Sequence, residues 1–150
     1  MSTAVASEQQ TARILIVDDD PDLRGMVAYK LVKAGFEVIE TDNGVAAVDA
    51  ALACLPNLVI LDIMMPGQDG LSACEQLRAD PETAQIPVML LSALTQPDIV
   101  RSGVMAGAVH HMAKPFSLEA LLGSVQSLLR VHPTPVDPNT GHGLDRSYQW

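Results

Sequence analysis

Basic charge, aromatic side chains and cysteine are all scarce in this chain of 150 residues, and each shortage narrows what it can do. Nine Lys and Arg stand against 18 Asp and Glu, giving a formal charge of −9. The bases are scattered singly from Arg13 to Arg146. Binding to nucleic acid through phosphates needs them clustered, so direct nucleic-acid binding is not expected. The two cysteines, Cys54 and Cys74, make no disulfide framework, and neither has a His or Cys at metal-ligand spacing. Both fall in apolar helical patterns and read as small reduced core residues of a cytosolic protein. No apolar run approaches the roughly 20 residues that cross a bilayer. The segment Met1 to Ala12 has neither the basic start nor the apolar stretch of an export signal, so neither membrane insertion nor secretion is expected. With one Trp, two Tyr and two Phe in all, Phe36 and Phe116 are the aromatic candidates for the interior, and packing must be mostly aliphatic.

Hydrophobic residues, by contrast, make up 48% of the chain. A domain of this length buries roughly 70% of the surface its unfolded chain exposes, enough for an unaided core. Short apolar runs alternate with helical patterns. Ile14-Leu15-Ile16-Val17 reads as a β-branched strand that stops at Asp18-Asp19-Asp20, with Asp20 before Pro21 as a helix cap. Asp22 to Ala34 places Leu23, Met26, Val27, Lys30 and Leu31 at helical intervals, and Gly35 stops that helix. Phe36 to Glu40 reads as a strand, Gly44 to Leu52 as a helix, and Leu58 to Leu61 as a strand ending at Asp62. After a Pro and Gly loop from Met64 to Gly70 come a helix from Leu71 to Arg78 and a strand, Val88 to Leu91, ending in Ser92. A helix from about Pro97 to Met105, a weak strand from Ala108 to Ala113 and an amphipathic helix from Ser117 to Arg130 complete the pattern. Five continuously apolar strands alternating with five helices predict a doubly wound α/β fold, a parallel sheet covered on both faces. Residues 1–11 are expected to be a flexible extension, 12–130 the domain, and the Pro- and Gly-rich segment 131–150 a tail or linker.

In an open parallel sheet the functional crevice lies at the carboxyl ends of the strands. Strand one ends in Asp18 and Asp19, strand three in Asp62, strand four in Ser92 and strand five before Lys114. Three carboxylates meeting at one edge repel one another unless a counter-ion is present. Their hard oxygen donors suit Mg²⁺, which keeps several waters and binds through one or two carboxylates plus a phosphate. A phosphoryl group transferred to one of the carboxylates would then be stabilised by the metal, with Lys114 and Ser92 meeting its remaining oxygens. Blander readings apply elsewhere. Asp69 and Gly70 read as loop and helix-start residues, and Met64, Met65 and Met89 as packing residues. His110 and His111 are adjacent on a strand and face opposite ways, which argues against a metal site there.

The segments Ile14 to Asp20, Leu61 to Gly67 followed by Asp69-Gly70, Leu91-Ser92-Ala93, Ala106-Gly107-Ala108 and Lys114-Pro115-Phe116 together resemble the receiver domain of bacterial two-component response regulators, CheY-like, over about Arg13 to Arg130. The resemblance implies a flavodoxin-like (β/α)5 fold of strand order 2-1-3-4-5. It implies Asp62 as the phosphoacceptor, Asp18 and Asp19 as the acid pair holding Mg²⁺ directly or through water, and a metal contact from the backbone carbonyl of Met64. Ser92 matches the switch hydroxyl and Lys114 the lysine that contacts a phosphoryl oxygen, with a cis bond to Pro115, a form taken by about 5–6% of X-Pro bonds. His111 stands where the family often carries Tyr or Phe, an aromatic that turns inward with the switch. Being titratable near neutrality, it makes that inward state a candidate for control by pH.

A receiver is a switch rather than a metabolic enzyme, its chemistry limited to Mg²⁺-dependent self-phosphorylation and dephosphorylation at Asp62. The implied partners are a sensor histidine kinase or phosphotransfer protein and a downstream protein docking on the face made by about residues 97–130. The formal charges in that stretch are Asp98, Arg101, Lys114, Glu119 and Arg130, few for a charged dimer seam, so a monomer or weak dimer in the bacterial cytoplasm is expected. The first expectation is a single-domain response regulator signalling by protein contact. Alternatives are the N-terminal receiver of a longer protein, a phosphorelay intermediate or phosphate sink, and, remotely, an aspartate-nucleophile phosphatase. The last usually carries a second acid two residues after the nucleophile, where this chain has Met64. A flavin-binding module is disfavoured because Asp18, Asp19 and Asp20 would repel its phosphate.

Overall fold

The computed structural model describes residues 11–65, 70–93 and 97–131, with the side chains of 97–100 left aside. Five strands and five helices alternate: β1 (Arg13–Val17), α1 (Pro21–Lys33), β2 (Glu37–Thr41), α2 (Gly44–Cys54), β3 (Leu58–Asp62), α3 (Gly70–Ala79), β4 (Val88–Ser92), α4 (Pro97–Met105), β5 (His110–Ala113) and α5 (Leu118–Val131). The strands form one parallel sheet in the order β2-β1-β3-β4-β5. This is the doubly wound arrangement that the sequence pattern predicts, in the flavodoxin-like strand order that the family resemblance implies.

Successive strand residues point to opposite faces, so each central strand supplies two cores at once. Leu15, Val17, Val59, Leu61, Val88 and Leu90 pack with Ala47 and Ala51 of α2 and with Ala73, Cys74 and Leu77 of α3. Ile14, Ile16, Leu58, Ile60, Met89 and Leu91 pack on the other face with Val27, Ala28 and Leu31 of α1 and with Leu121 and Val125 of α5. The continuously apolar strands are thus explained by burial on both sides. Phe36 and Phe116 lie half-buried at the margin of the second core, whose fully buried side chains are aliphatic.

Local signals set the ends of several elements. Asp20 caps α1, its carboxylate accepting from the N–H groups of Asp22 and Leu23, and Gly35 takes φ 102° after its last turn. Ser117 caps α5, its Oγ accepting from Ala120 N–H at 3.0 Å. Other boundaries differ from the expectation. Helix α2 runs on to Cys54 and closes with Leu55 in the left-handed region, because Ala51 C=O still finds a donor in Leu55 N–H at 2.8 Å. Phe36 lies outside β2, its N–H turned back to Leu31 C=O at 3.1 Å, and β5 begins at His110 rather than Ala108. Val131, read as the start of the tail, is the last residue of α5. The proposed flexibility of the N-terminal extension and the tail, and the role of Asp69, lie outside the described residues.

Two packing expectations are corrected. Met64 is 58% exposed, so it is not a core residue, and Cys54 is only half-buried while Cys74 is fully enclosed. Met26 shares an outward stripe of α1 with Tyr29 and Val32, while Val27, Ala28 and Leu31 take the inward face. Among the described residues, no helix is long and apolar enough to cross a membrane.

Burial therefore separates two neighbouring apolar residues of α1. Leu31→Ala empties a fully buried site and is expected to cost about 2–5 kcal/mol. Met26→Ala should stay within about 0.5 kcal/mol of the parent. Urea unfolding of the two variants checks the difference.

Candidate functional site

Strand register brings the expected residues to one edge of the sheet. Val17 pairs with both Thr41 and Leu61, so Asp18, one residue on, stands level with Asp62. Ser92 pairs with Ala113, which places Lys114 one residue past the end of β5, and Lys114 N–H donates to Ser92 C=O at 2.7 Å. Each of these positions follows from the apolar residues before it: once the strands are in register, their terminal polar residues must collect at the same edge.

Asp18 and Asp62 are almost wholly buried, at 1% and 3% exposure, while Asp19 faces solvent. Carboxylate oxygens of all three lie within 4.8 Å of one another. The Lys114 ammonium bridges two of them, donating to Asp18 Oδ2 and to Asp62 Oδ2 at 3.2 Å each. Asp18 Oδ1 accepts from Asp20 N–H at 2.9 Å, and Asp62 Oδ1 from Met64 N–H at 3.2 Å. Burial pushes the Asp62 carboxyl up to about 6 and the neighbouring Asp18 charge adds to the rise, against the opposing pull of Lys114. Burial draws Lys114 down, but Asp62 and Asp18 together outweigh it and its pKa is raised. One ammonium among three carboxylates leaves the cluster short of positive charge. The donor set is all oxygen, and Asp19 opens it to water on one side, so a hard divalent ion that keeps part of its hydration fits these residues.

Ser92 is buried at the end of β4. Met64 follows β3 with its backbone N–H committed to Asp62 and its side chain exposed. His111 pairs in register with Leu90, is half-buried, and has a buried Nε2 with no hydrogen-bond partner. Burial and the adjacent His110 both lower its pKa, which favours the neutral ring. Among the described residues, Asp18, Asp19 and Asp62 are the one group of three potential ligands close enough to share an ion.

A family model for the response regulator receiver domain matches residues 14–126, which include every residue of this site. The chain belongs to that family. This receiver is 41% identical over 118 residues to the DNA-binding dual master transcriptional regulator RpaA of Synechocystis sp., covering 79% of this chain and 49% of that protein. It is 38% identical over 118 residues to the DNA-binding response regulator MtrA of Mycolicibacterium smegmatis, covering 79% and 50% respectively. The receiver thus spans about half the length of the curated relatives it matches. Among solved structures it is similar to the chemotaxis protein CheY4 of Vibrio cholerae, with a TM-score of 0.77 and 31% identity over 79% of this chain and 99% of that one. A putative response regulator from Chloroflexus aurantiacus J-10-fl matches with a TM-score of 0.76 and 33% identity over 80% and 98%.

Two residues that matter to the site's shape have weaker sequence signals. A Cβ on Gly70 would approach the Asp62 carbonyl oxygen and lie 2.9 Å from the Asp62 carbonyl carbon and the Ile63 Cα, so only glycine lets the first turn of α3 sit against the end of β3. Its N–H donates to Ile63 C=O at 2.9 Å. The pair Asp69-Gly70 marks a loop-to-helix junction but does not announce that approach. Arg24 donates through Nη1 to the backbone carbonyl of Asp18 at 2.7 Å and through Nε to Glu40 Oε1 at 3.0 Å, contacts that only the folded chain brings about.

The raised pKa of Asp62 makes this carboxyl a burden on the fold. Between its ordinary value of 3.8 and about 6 the folded protein retains a proton that the unfolded chain gives up, so its contribution to stability is best at low pH and is lost as pH rises through that window. In Mg²⁺-free buffer, Asp62→Asn should raise stability by roughly 1–3 kcal/mol near neutral pH and by much less at about pH 4. Urea midpoints at the two pH values test this.

Proposed function

We propose that this receiver is a phosphorylation-dependent switch in which Asp62 accepts a phosphoryl group from a histidine kinase or phosphotransfer protein. The observation that carries the reading is the buried Asp62 carboxylate, level with Asp18 and joined to it through Lys114. A bond forms between an Asp62 oxygen and phosphorus as the phosphorus–nitrogen bond of the donor's phosphohistidine breaks, and the imidazole nitrogen keeps the electron pair. Asp18, Asp19, Asp62 and the Met64 carbonyl would hold Mg²⁺. Bound there, Mg²⁺ neutralises the oxygens of the transferring group. Lys114 contributes a charge already held in place beside the acceptor, and Ser92 offers a hydroxyl at the neighbouring strand end. The new group brings about −1.5 to −2 charges to the site and biases a two-state equilibrium. In this reading the receiver catalyses only its own phosphorylation and dephosphorylation, and it works in the cytoplasm.

Output through protein contact is supported by the surface of residues 97–131. Val104 is 65% and Met105 81% exposed there, while Lys114 is engaged in the acid cluster and Glu119 with Lys30 of α1 at 2.9 Å. A face with exposed apolar residues and few uncommitted charges suits docking to another protein. Two arrangements of the whole protein have support. CheY4, matched over 99% of its length, favours a receiver acting alone. RpaA and MtrA, matched over about half of theirs, favour an N-terminal receiver attached to an output domain. In both, the receiver itself makes no direct nucleic-acid contact, since its bases are not clustered.

Incubation with a small phosphodonor and Mg²⁺, followed by intact-mass measurement, tests the central step. One phosphoryl group should be added, lost on hydroxylamine treatment and absent in Asp62→Asn. No adduct on the parent protein overturns the reading, and steady turnover of phosphomonoesters without an adduct replaces it with a phosphatase.

A further inference from the structure

Arg24 stands one turn into α1, beyond the acids that end β1, and its guanidinium reaches back toward them. The side chain is 20% exposed. Its Nη1 donates to the Asp18 carbonyl at 2.7 Å, and its Nε is held by Glu40 Oε1 at 3.0 Å, so the fork joins the β1–α1 turn to β2. On the other side of the same residue, Asp18 N–H donates to Thr41 C=O at 3.2 Å. The backbone of Asp18 is therefore gripped at both its N–H and its C=O. The gripped carbonyl belongs to the peptide unit that joins Asp18 to Asp19, and such a unit is planar. Fixing the direction of its oxygen fixes the plane from which both side chains depart.

We propose that Arg24, anchored by Glu40, is a positioning residue for the cation pocket: its bond to the Asp18 carbonyl orients the Asp18–Asp19 peptide and so holds two of the three carboxylates in the arrangement that takes a divalent ion. The inference rests on the reading of Asp18, Asp19 and Asp62 as the Mg²⁺ site. Arg24 acts on the ion in two opposed ways. As a positive charge it repels a cation, so its removal by charge alone would tighten binding. As a hydrogen-bond donor it holds the peptide, so its removal would weaken binding. The sign of the change separates the two. A depression of about 340 Å³ lined by Arg24, Glu40, Thr41, Asp42 and Ala46 opens beside the guanidinium. When the guanidinium is gone, water entering from there satisfies the Asp18 carbonyl without fixing its direction.

Calorimetric titration of the full chain with MgCl₂ decides the matter, using the parent, Arg24→Met and Arg24→Lys. Methionine keeps an apolar stem and deletes both charge and donors. Lysine keeps the charge but replaces the rigid planar fork with a compact ammonium on a flexible stem, which fixes the direction of the carbonyl less firmly. Outer residues that orient metal ligands typically govern affinity by 10–100-fold, so Arg24→Met should bind Mg²⁺ on the order of 10-fold more weakly, with Arg24→Lys between it and the parent. A residue that merely stabilised α1 would lower the thermal midpoint and leave the Mg²⁺ dissociation constant of the folded protein unchanged. Unchanged or tighter binding in folded Arg24→Met overturns the proposal. Should that variant fail to fold, binding by Arg24→Lys equal to the parent overturns it. A parent that binds no Mg²⁺ overturns the reading of the acid cluster, a separate result.

Discussion

The repulsion between buried carboxylates is the constraint around which this protein is arranged. Asp18 and Asp62 end adjacent strands of a sheet whose register leaves them level, and both are nearly sealed from solvent. Burying charge there opposes folding, and the Asp62 pKa is raised first by burial and then by the neighbouring Asp18 charge. Lys114 relieves part of it by dividing one ammonium between the two. The relief is incomplete, so the site favours additional positive charge.

The scaffold's task is then to hold the unfavourable cluster steady, and the two hydrophobic layers supply the means. Strands β1, β3 and β4 are buried on both faces, so their ends have little freedom to part. Closer to the site, short backbone contacts take over from side-chain packing. Gly70 lets α3 start against the Asp62 carbonyl, and Asp20 turns its cap toward α1 while its own N–H is bonded to Asp18. The turn that carries Asp18 and Asp19 is short because Asp20, the next residue, caps α1.

Much of this was legible in the sequence for one reason: strands buried on both faces read as unbroken apolar runs, and the first polar residue after each run marks the functional edge. That rule locates Asp18, Asp62 and Ser92 directly, and Lys114 follows from the short run before it. The contacts made across the fold were less legible. The Lys114 bridge and the reach of Arg24 to Asp18 join residues far apart in sequence or on different elements, and neither leaves a periodic signal. The helical spacing of Leu23, Met26, Val27, Lys30 and Leu31 marked α1 without saying how wide its buried part is, and α1 buries only Val27, Ala28 and Leu31. Helix α2 outran its expected end because a left-handed Leu55 completes it where a glycine would be sought.

The two outermost strands have a consequence for the molecule in crowded solution. A parallel sheet leaves unpaired backbone donors and acceptors along both margins, which invite strands from other chains. On the β2 margin, Glu37 and Glu40 are exposed and each is tied to an arginine, Arg13 at 2.9 Å and Arg24 at 3.0 Å. Charged side chains there make it costly for a second sheet to add itself. The opposite margin, β5, is only four residues long and gives an incoming strand little to grip. The same Arg24–Glu40 pair that ties the acid turn to the sheet thus also guards its edge against aggregation.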